Sequence, residues 1–110
     1  METSILNSIK KLLGVADDYT EFDEDIITHI NTAFLNLTQL GVGPQEGFSI
    51  EDDAAEWWDF IEDKAQLQAV KSYIYLKVKL IFDPPLSSSV IESINRMIAE
   101  LEWRLNVVVD

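Results

Sequence analysis

Cysteine is absent from these 110 residues. That excludes a disulfide framework, a thiolate metal site and a cysteine nucleophile, and it suits a reducing cytoplasm. Histidine occurs once, so no pair of imidazoles can hold a metal. No apolar run approaches the ~20 residues needed to span a bilayer. The opening Met1-Glu2-Thr3-Ser4 lacks the basic region and apolar stretch of a signal peptide. A soluble protein without a membrane partner is expected. Gly-x-Gly-x-x-Gly, Gly-Lys-Ser/Thr and Gly-x-Ser-x-Gly strings are also missing, which removes the common phosphate loops and the nucleophile elbow.

Basic residues are few, eight against twenty acids, for a net charge of -12. The imbalance is confined to the front. Residues 1–63 carry fifteen acids and two lysines, a net -13, whereas residues 64–110 carry five acids and six bases, a net +1. Nucleic-acid affinity comes largely from Lys and Arg neutralising phosphates, so the acidic front argues against tight binding to DNA or RNA. It is either a solvated, solubilising face or a surface that must lie beside a like-charged polymer without holding it.

What is present is helical periodicity. The 47% hydrophobic fraction is enough for a modest core, and the length fits one domain spanning 1–110. Ile5, Leu6, Ile9, Leu12 and Leu13 follow Thr3 and Ser4, either of which can cap. Gly14 is a stop, and Lys10 and Lys11 complement the negative helix end. A second helix is expected from near Phe22, with Thr20 and Asp23 in a variant capping-box spacing. Its apolar stripe is Phe22, Ile26, Ile30, Ala33, Phe34, Leu37 and Leu40, and it ends at Gly41-Val42-Gly43-Pro44. A short helix starting at Ser49 or Asp52 should run through Trp57 and Trp58 to Ile61, separate from or continuous with a long helix over 63–82. Leu67, Val70, Ile74, Val78 and Ile81 form one face of that long helix, widened by Tyr73, Leu76 and Leu80. So broad a stripe marks a central helix or one covered by another subunit. Pro84 and Pro85 then stop it, because proline removes a backbone donor and drives its predecessor out of the helical region. Ser89 and Glu92 have capping-box spacing for a last helix whose core face is Val90, Ile94, Met97, Ile98, Leu101 and Leu105. The expected fold is all-α, a small bundle of four to five helices with a long central helix and a Pro-Pro corner before the last.

The chain carries no catalytic constellation. His29 has Asp25 one turn behind it, which allows a general-base reading, but a surface or boundary histidine is the simpler one. The acidic loop Asp17 to Asp25 fails as a calcium loop. Counting from Asp17 puts Phe22 sixth and Thr28 twelfth, and counting from Asp18 puts Asp23 and His29 there, where glycine and glutamate are needed. No catalytic residue, cofactor or metal site is expected. Interaction features are stronger. Adjacent indoles at Trp57 and Trp58 point about 100° apart on a helix, so one belongs to the core and the other to a boundary or interface. Trp103-Arg104 repeats the pattern with the two residue types enriched at hot spots. Trp58, Tyr75, Phe82, Trp103, Arg104 and the apolar tail Val107, Val108, Val109 are the interface candidates. Asp83, Pro84 and Pro85 are the rigid corner.

Tyr73-Ile74-Tyr75-Leu76-Lys77-Val78-Lys79-Leu80-Ile81-Phe82-Asp83-Pro84-Pro85, supported by Ile98-Ala99-Glu100-Leu101-Glu102-Trp103-Arg104-Leu105, resembles the phage head–tail connector family, whose members also carry the label of DNA-packaging proteins. The resemblance implies a structural protein without enzymatic activity, made in the host bacterial cytoplasm and placed in the neck of the virion. It implies assembly with itself into a ring, about a dodecamer, beneath the portal. Downstream head-completion or tail proteins would be further partners, and DNA would pass through the channel without tight binding. The competing reading is a small acidic DNA mimic that inhibits a nucleic-acid-binding partner. A mimic should space carboxylates along a whole face, whereas the second half of this chain is nearly neutral.

Overall fold

A computed structural model of the chain describes residues 3–109, with side chains through residue 106. Its elements are helices only: α1 (Ile5–Leu13), α2 (Asp23–Gln39), the single turn α3 (Trp57–Phe60), α4 (Lys64–Phe82) and α5 (Ser88–Val109). Among the described residues the only strand-like pairing is an isolated bridge, Ser4 to Glu56. The all-α fold with a long central helix is therefore as the periodicity foretells.

Each helix begins or ends where local chemistry permits. Ser4, in an extended conformation, caps α1 by accepting from the Asn7 N–H at 3.2 Å. Gly14 closes it at φ 83, with Gly14 N–H on the Lys11 carbonyl and Val15 N–H on the Lys10 carbonyl. That two-bond pattern is a Schellman close, which favours glycine at the left-handed position. Gly41 closes α2 in the same way, with Val42 N–H on the Leu37 carbonyl and Gly41 N–H on the Thr38 carbonyl. Asp63 caps α4 through Ala65 N–H at 2.9 Å.

Several expectations about boundaries are overturned. Thr20 and Asp23 form no capping box: Phe22 occupies the cap position without a side-chain bond, and Asp23 turns away to an ion pair described below. Neither Ser49 nor Asp52 opens a helix. Asp52 instead accepts from Ala54 N–H in a local turn, and α3 is confined to 57–60, where Asp59 reaches back to the Glu56 N–H at 2.9 Å. Ile61 is extended, so α3 and α4 are not continuous. The last helix is capped by Ser87, whose hydroxyl accepts from Val90 N–H at 3.4 Å, not by Ser89. Ser89 lies inside the first turn, so the Ser89–Glu92 spacing is coincidental.

The segment between α2 and α3 has no periodicity, yet it is anchored to the core. Asn31 of α2 grips the backbone of Ile50 from both sides, accepting from its N–H at 2.8 Å and donating to its carbonyl at 3.0 Å. Phe34, Phe48 and Phe60 meet ring to ring at centroid distances of 4.7–5.3 Å. Gly43, at φ 84, passes so close to Phe60 that a Cβ there would collide with the ring.

The core gathers around α4, against which α2, α5 and α1 all pack, and Val70 and Ile74 are buried within it. Ile5, Leu6 and Ile9 of α1, Ile26, Ile30, Phe34 and Leu37 of α2, and Ile94, Ile98 and Leu105 of α5 complete it. Five residues expected on apolar faces are instead open to solvent: Leu12, Phe22, Ile81, Val90 and Met97. On α5 the reason is geometric. Its apolar stripe is wider than one neighbouring helix can cover, so α4 takes Ile94, Ile98 and Leu105 and leaves the Val90–Met97 edge bare.

Candidate interaction surfaces

Two buried polar anchors hold the surfaces in place. Lys10 sits on the apolar stripe of α1 and is fully buried. Its ammonium donates to the Asp17 carbonyl at 3.1 Å and the Tyr19 carbonyl at 2.8 Å, and pairs with Asp23 Oδ1 at 2.8 Å. Two hydrogen bonds and one ion pair thus compensate the buried ammonium, although Asp23 Oδ1 is itself buried without a hydrogen bond. Lys10 is thus no mere complement to the helix dipole. It ties the acidic loop to the end of α1 and the start of α2. Sequence reasoning missed this, although its position four residues after Leu6 and three before Leu13 places it on the apolar face.

The second anchor is Tyr73, buried in α4, whose hydroxyl donates to Glu102 Oε2 of α5 at 2.7 Å. Burial first and the Glu102 carboxylate second push the phenol well above its ordinary range, with Asn36 of α2 pulling weakly the other way. The hydroxyl therefore links α4 to α5.

The expected interface residues fall on separate parts of the surface. Trp57 is buried, with its indole N–H on the Ser8 hydroxyl at 3.0 Å, while Trp58 is 44% exposed. The paired indoles divide as their 100° separation requires. Trp103 is 67% exposed, and neighbouring Arg104 pairs with Glu100 at 2.7 Å. Tyr75 is half-buried beside α1, and Phe82 is half-buried against Phe22 at a centroid distance of 5.3 Å. Trp58, Tyr75 and Trp103 share no ring contact among the described residues. Val107, Val108 and Val109 end α5, and their side chains lie outside the described residues. At the corner, Lys79 pairs with Asp83 at 3.2 Å, one turn before Pro84 and Pro85, and Leu86 projects entirely into solvent.

Two open grooves flank the exposed ridge of α4. One, of about 420 Å³, runs between α1 and α4 and is lined by Ser8, Lys11, Leu12, Gln68, Lys71 and Tyr75. The other, about 220 Å³, runs between α4 and α5 past Leu76, Met97, Leu101 and Arg104. Ser72 borders both. No group of three or more metal-ligating side chains occurs among the described residues, and no helix there is long and apolar enough to cross a membrane.

A family model described as phage connector protein matches residues 5–110. No curated protein and no solved structure matches the chain.

Proposed function

This chain belongs to the phage connector protein family, and on that premise we propose that it is a ring-forming component of the virion neck. Membership of that family supports a structural head–tail connector role without enzymatic activity of its own. In the finer reading, copies of the chain, acting as one domain each, assemble beneath the portal and prolong the DNA channel towards the tail. Portal and tail-side proteins are its partners.

The family match across nearly the whole chain carries this reading, and surface chemistry supports it. Solvent-exposed Trp103, the bare Val90–Met97 edge of α5 and two open grooves beside α4 offer more contact surface than an isolated bundle of this size needs. Trp58, Tyr75, Phe82, Trp103, Arg104 and Val107 to Val109 are the proposed contact residues, and the Asp83-Pro84-Pro85 corner fixes the direction of α5 against α4. The net -13 over residues 1–63 keeps a passing duplex hydrated and mobile.

The deciding measurement is particle mass across protein concentration, by native mass spectrometry or light scattering, alone and with the cognate portal. A closed ring, formed alone or on the portal, is expected. A monomer or dimer indifferent to the portal would defeat the reading and favour an acidic inhibitor.

A further inference from the structure

Three aromatic rings from distant parts of the chain meet on the outside of the bundle. Tyr19 and Phe22, in the segment joining α1 to α2, are 46% and 41% exposed, and their ring centroids lie 5.4 Å apart. Phe22 in turn stands edge-on to half-buried Phe82, the last residue of α4, at 5.3 Å. Exposed rings scattered singly need no explanation, but rings that touch form a patch, and such patches mark contact sites. The rings are also fixed in advance. Buried Lys10 holds the Asp17 and Tyr19 carbonyls and the Asp23 carboxylate. Two tight turns add Tyr19 N–H on the Ala16 carbonyl and Asp23 N–H on the Thr20 carbonyl. An ammonium thus gives up its hydration to pin a segment whose own rings stay outside.

The rim of this patch is acidic. Asp17, Asp18, Glu21, Glu24 and Asp25 lie within three residues of Tyr19 or Phe22, all are exposed, and none makes an ion pair among the described residues. Two nearby bases are already committed, Lys10 to Asp23 and, beside Phe82, Lys79 to Asp83. Lys11 borders the same hollow as Asp17, which leaves five carboxylates against one ammonium. Residues 12–63 contain no lysine or arginine. Rings and rim together select the occupant. DNA phosphates and anionic lipid headgroups are repelled, and a second copy of the chain would bring a net charge of -12 with it. A guanidinium suits both parts, because it stacks on an aromatic face and forks onto a carboxylate.

We propose that the Tyr19–Phe22–Phe82 face receives an arginine-bearing segment of a different protein, its guanidinium groups over the exposed rings and its charge met by the rim carboxylates. The rings supply desolvated area, while the rim sets orientation and speeds encounter. Lys10 lowers the cost of binding, because the segment that carries two of the rings is already ordered. The inference does not depend on ring closure, so either can fail without the other.

The test titrates the full-length chain with a short acetylated and amidated peptide that alternates arginine and leucine, followed by calorimetry at low salt. Tyr19→Ser with Phe22→Ser removes two rings and leaves the charge unchanged, and it should lose roughly tenfold in affinity. Glu21→Lys keeps the rings and reverses one rim charge, and it should lose a similar factor. Glu46→Lys makes the same charge change beyond the other end of α2, about 25 Å away, and should bind nearly as the wild type does. Circular dichroism and thermal midpoint establish folding. If the double variant does not fold, the comparison of Glu21→Lys with Glu46→Lys decides, since both keep every ring. Equal losses in those two variants, or equal affinity for a peptide alternating lysine and leucine, would reduce the effect to general charge attraction and overturn the inference. A wild-type chain that does not bind the arginine peptide would overturn it too.

Discussion

At the scale of the residue, the least expected side chain is Lys10. Lys10→Met keeps its volume but leaves two carbonyls without their donor and the Asp23 carboxylate without its cation. Asp23 is a quarter exposed, so water recovers part of the loss. A destabilisation of about 2–3 kcal/mol is expected, read from the urea midpoint. Tyr73 gives a signed pH effect. Its phenol is held above its ordinary value in the folded protein, so the native state keeps a proton that the unfolded chain releases. Stability from this group is therefore intact below about pH 10 and falls as pH rises beyond it. Urea titrations between pH 8 and 11.5 should show the decline. Tyr73→Phe should lower stability by about 1 kcal/mol at neutral pH and flatten the alkaline limb. Gly43→Ala meets both a left-handed backbone and the Phe60 ring, so a loss of about 2–4 kcal/mol should appear in the same assay.

At the scale of the element, regular stretches were legible and local exceptions were not. The apolar repeats of α1, α2, α4 and α5, the glycine closes and the proline corner can all be read from spacing, because each reflects a backbone constraint acting within a few residues. The failures lie where tertiary contacts decide. Thr20 and Asp23 have capping spacing, but Asp23 is worth more as the partner of a buried ammonium than as a cap residue. Ser87 displaces Ser89 because three successive serines offer equal caps, and the corner geometry selects the first. The aromatic trio and the Asn31 grip left no periodic trace, since they join residues far apart in sequence. Of the surface features, Trp58 and Trp103 announced their exposure. The Lys11–Lys71 groove did not, because its walls come from helices more than fifty residues apart. Asp63 should behave as an ordinary cap: Asp63→Ala is expected to cost about 1 kcal/mol in thermal or urea denaturation.

At the scale of the whole molecule, charge and exposed aromatic surface are separated from the machinery of stability. Trp103→Ala should leave the thermal midpoint of the isolated chain nearly unchanged, because two thirds of the side chain already faces solvent. The same change should reduce assembly by light scattering if Trp103 sits between copies. A large fall in midpoint would instead assign it a core role. Duplex DNA should not be retained by the protein in filter binding near physiological salt, given fifteen acids against two lysines over residues 1–63.

The attachment of α5 has a consequence for how the molecule opens. The helix runs 22 residues but contributes Ile94, Ile98 and Leu105 to the core, and it leans chiefly on α4 through that seam and the Tyr73–Glu102 bond. The remaining helices share a deeper common interior. Amide hydrogen exchange should therefore divide the chain into two protection classes. Amides of α5 would exchange through a shallow opening that spares the rest, while those of α2 and α4 would wait for global unfolding. A contact that covers the outer edge of α5 should merge the two classes, so the exchange rate of a single helix would report occupancy of that edge.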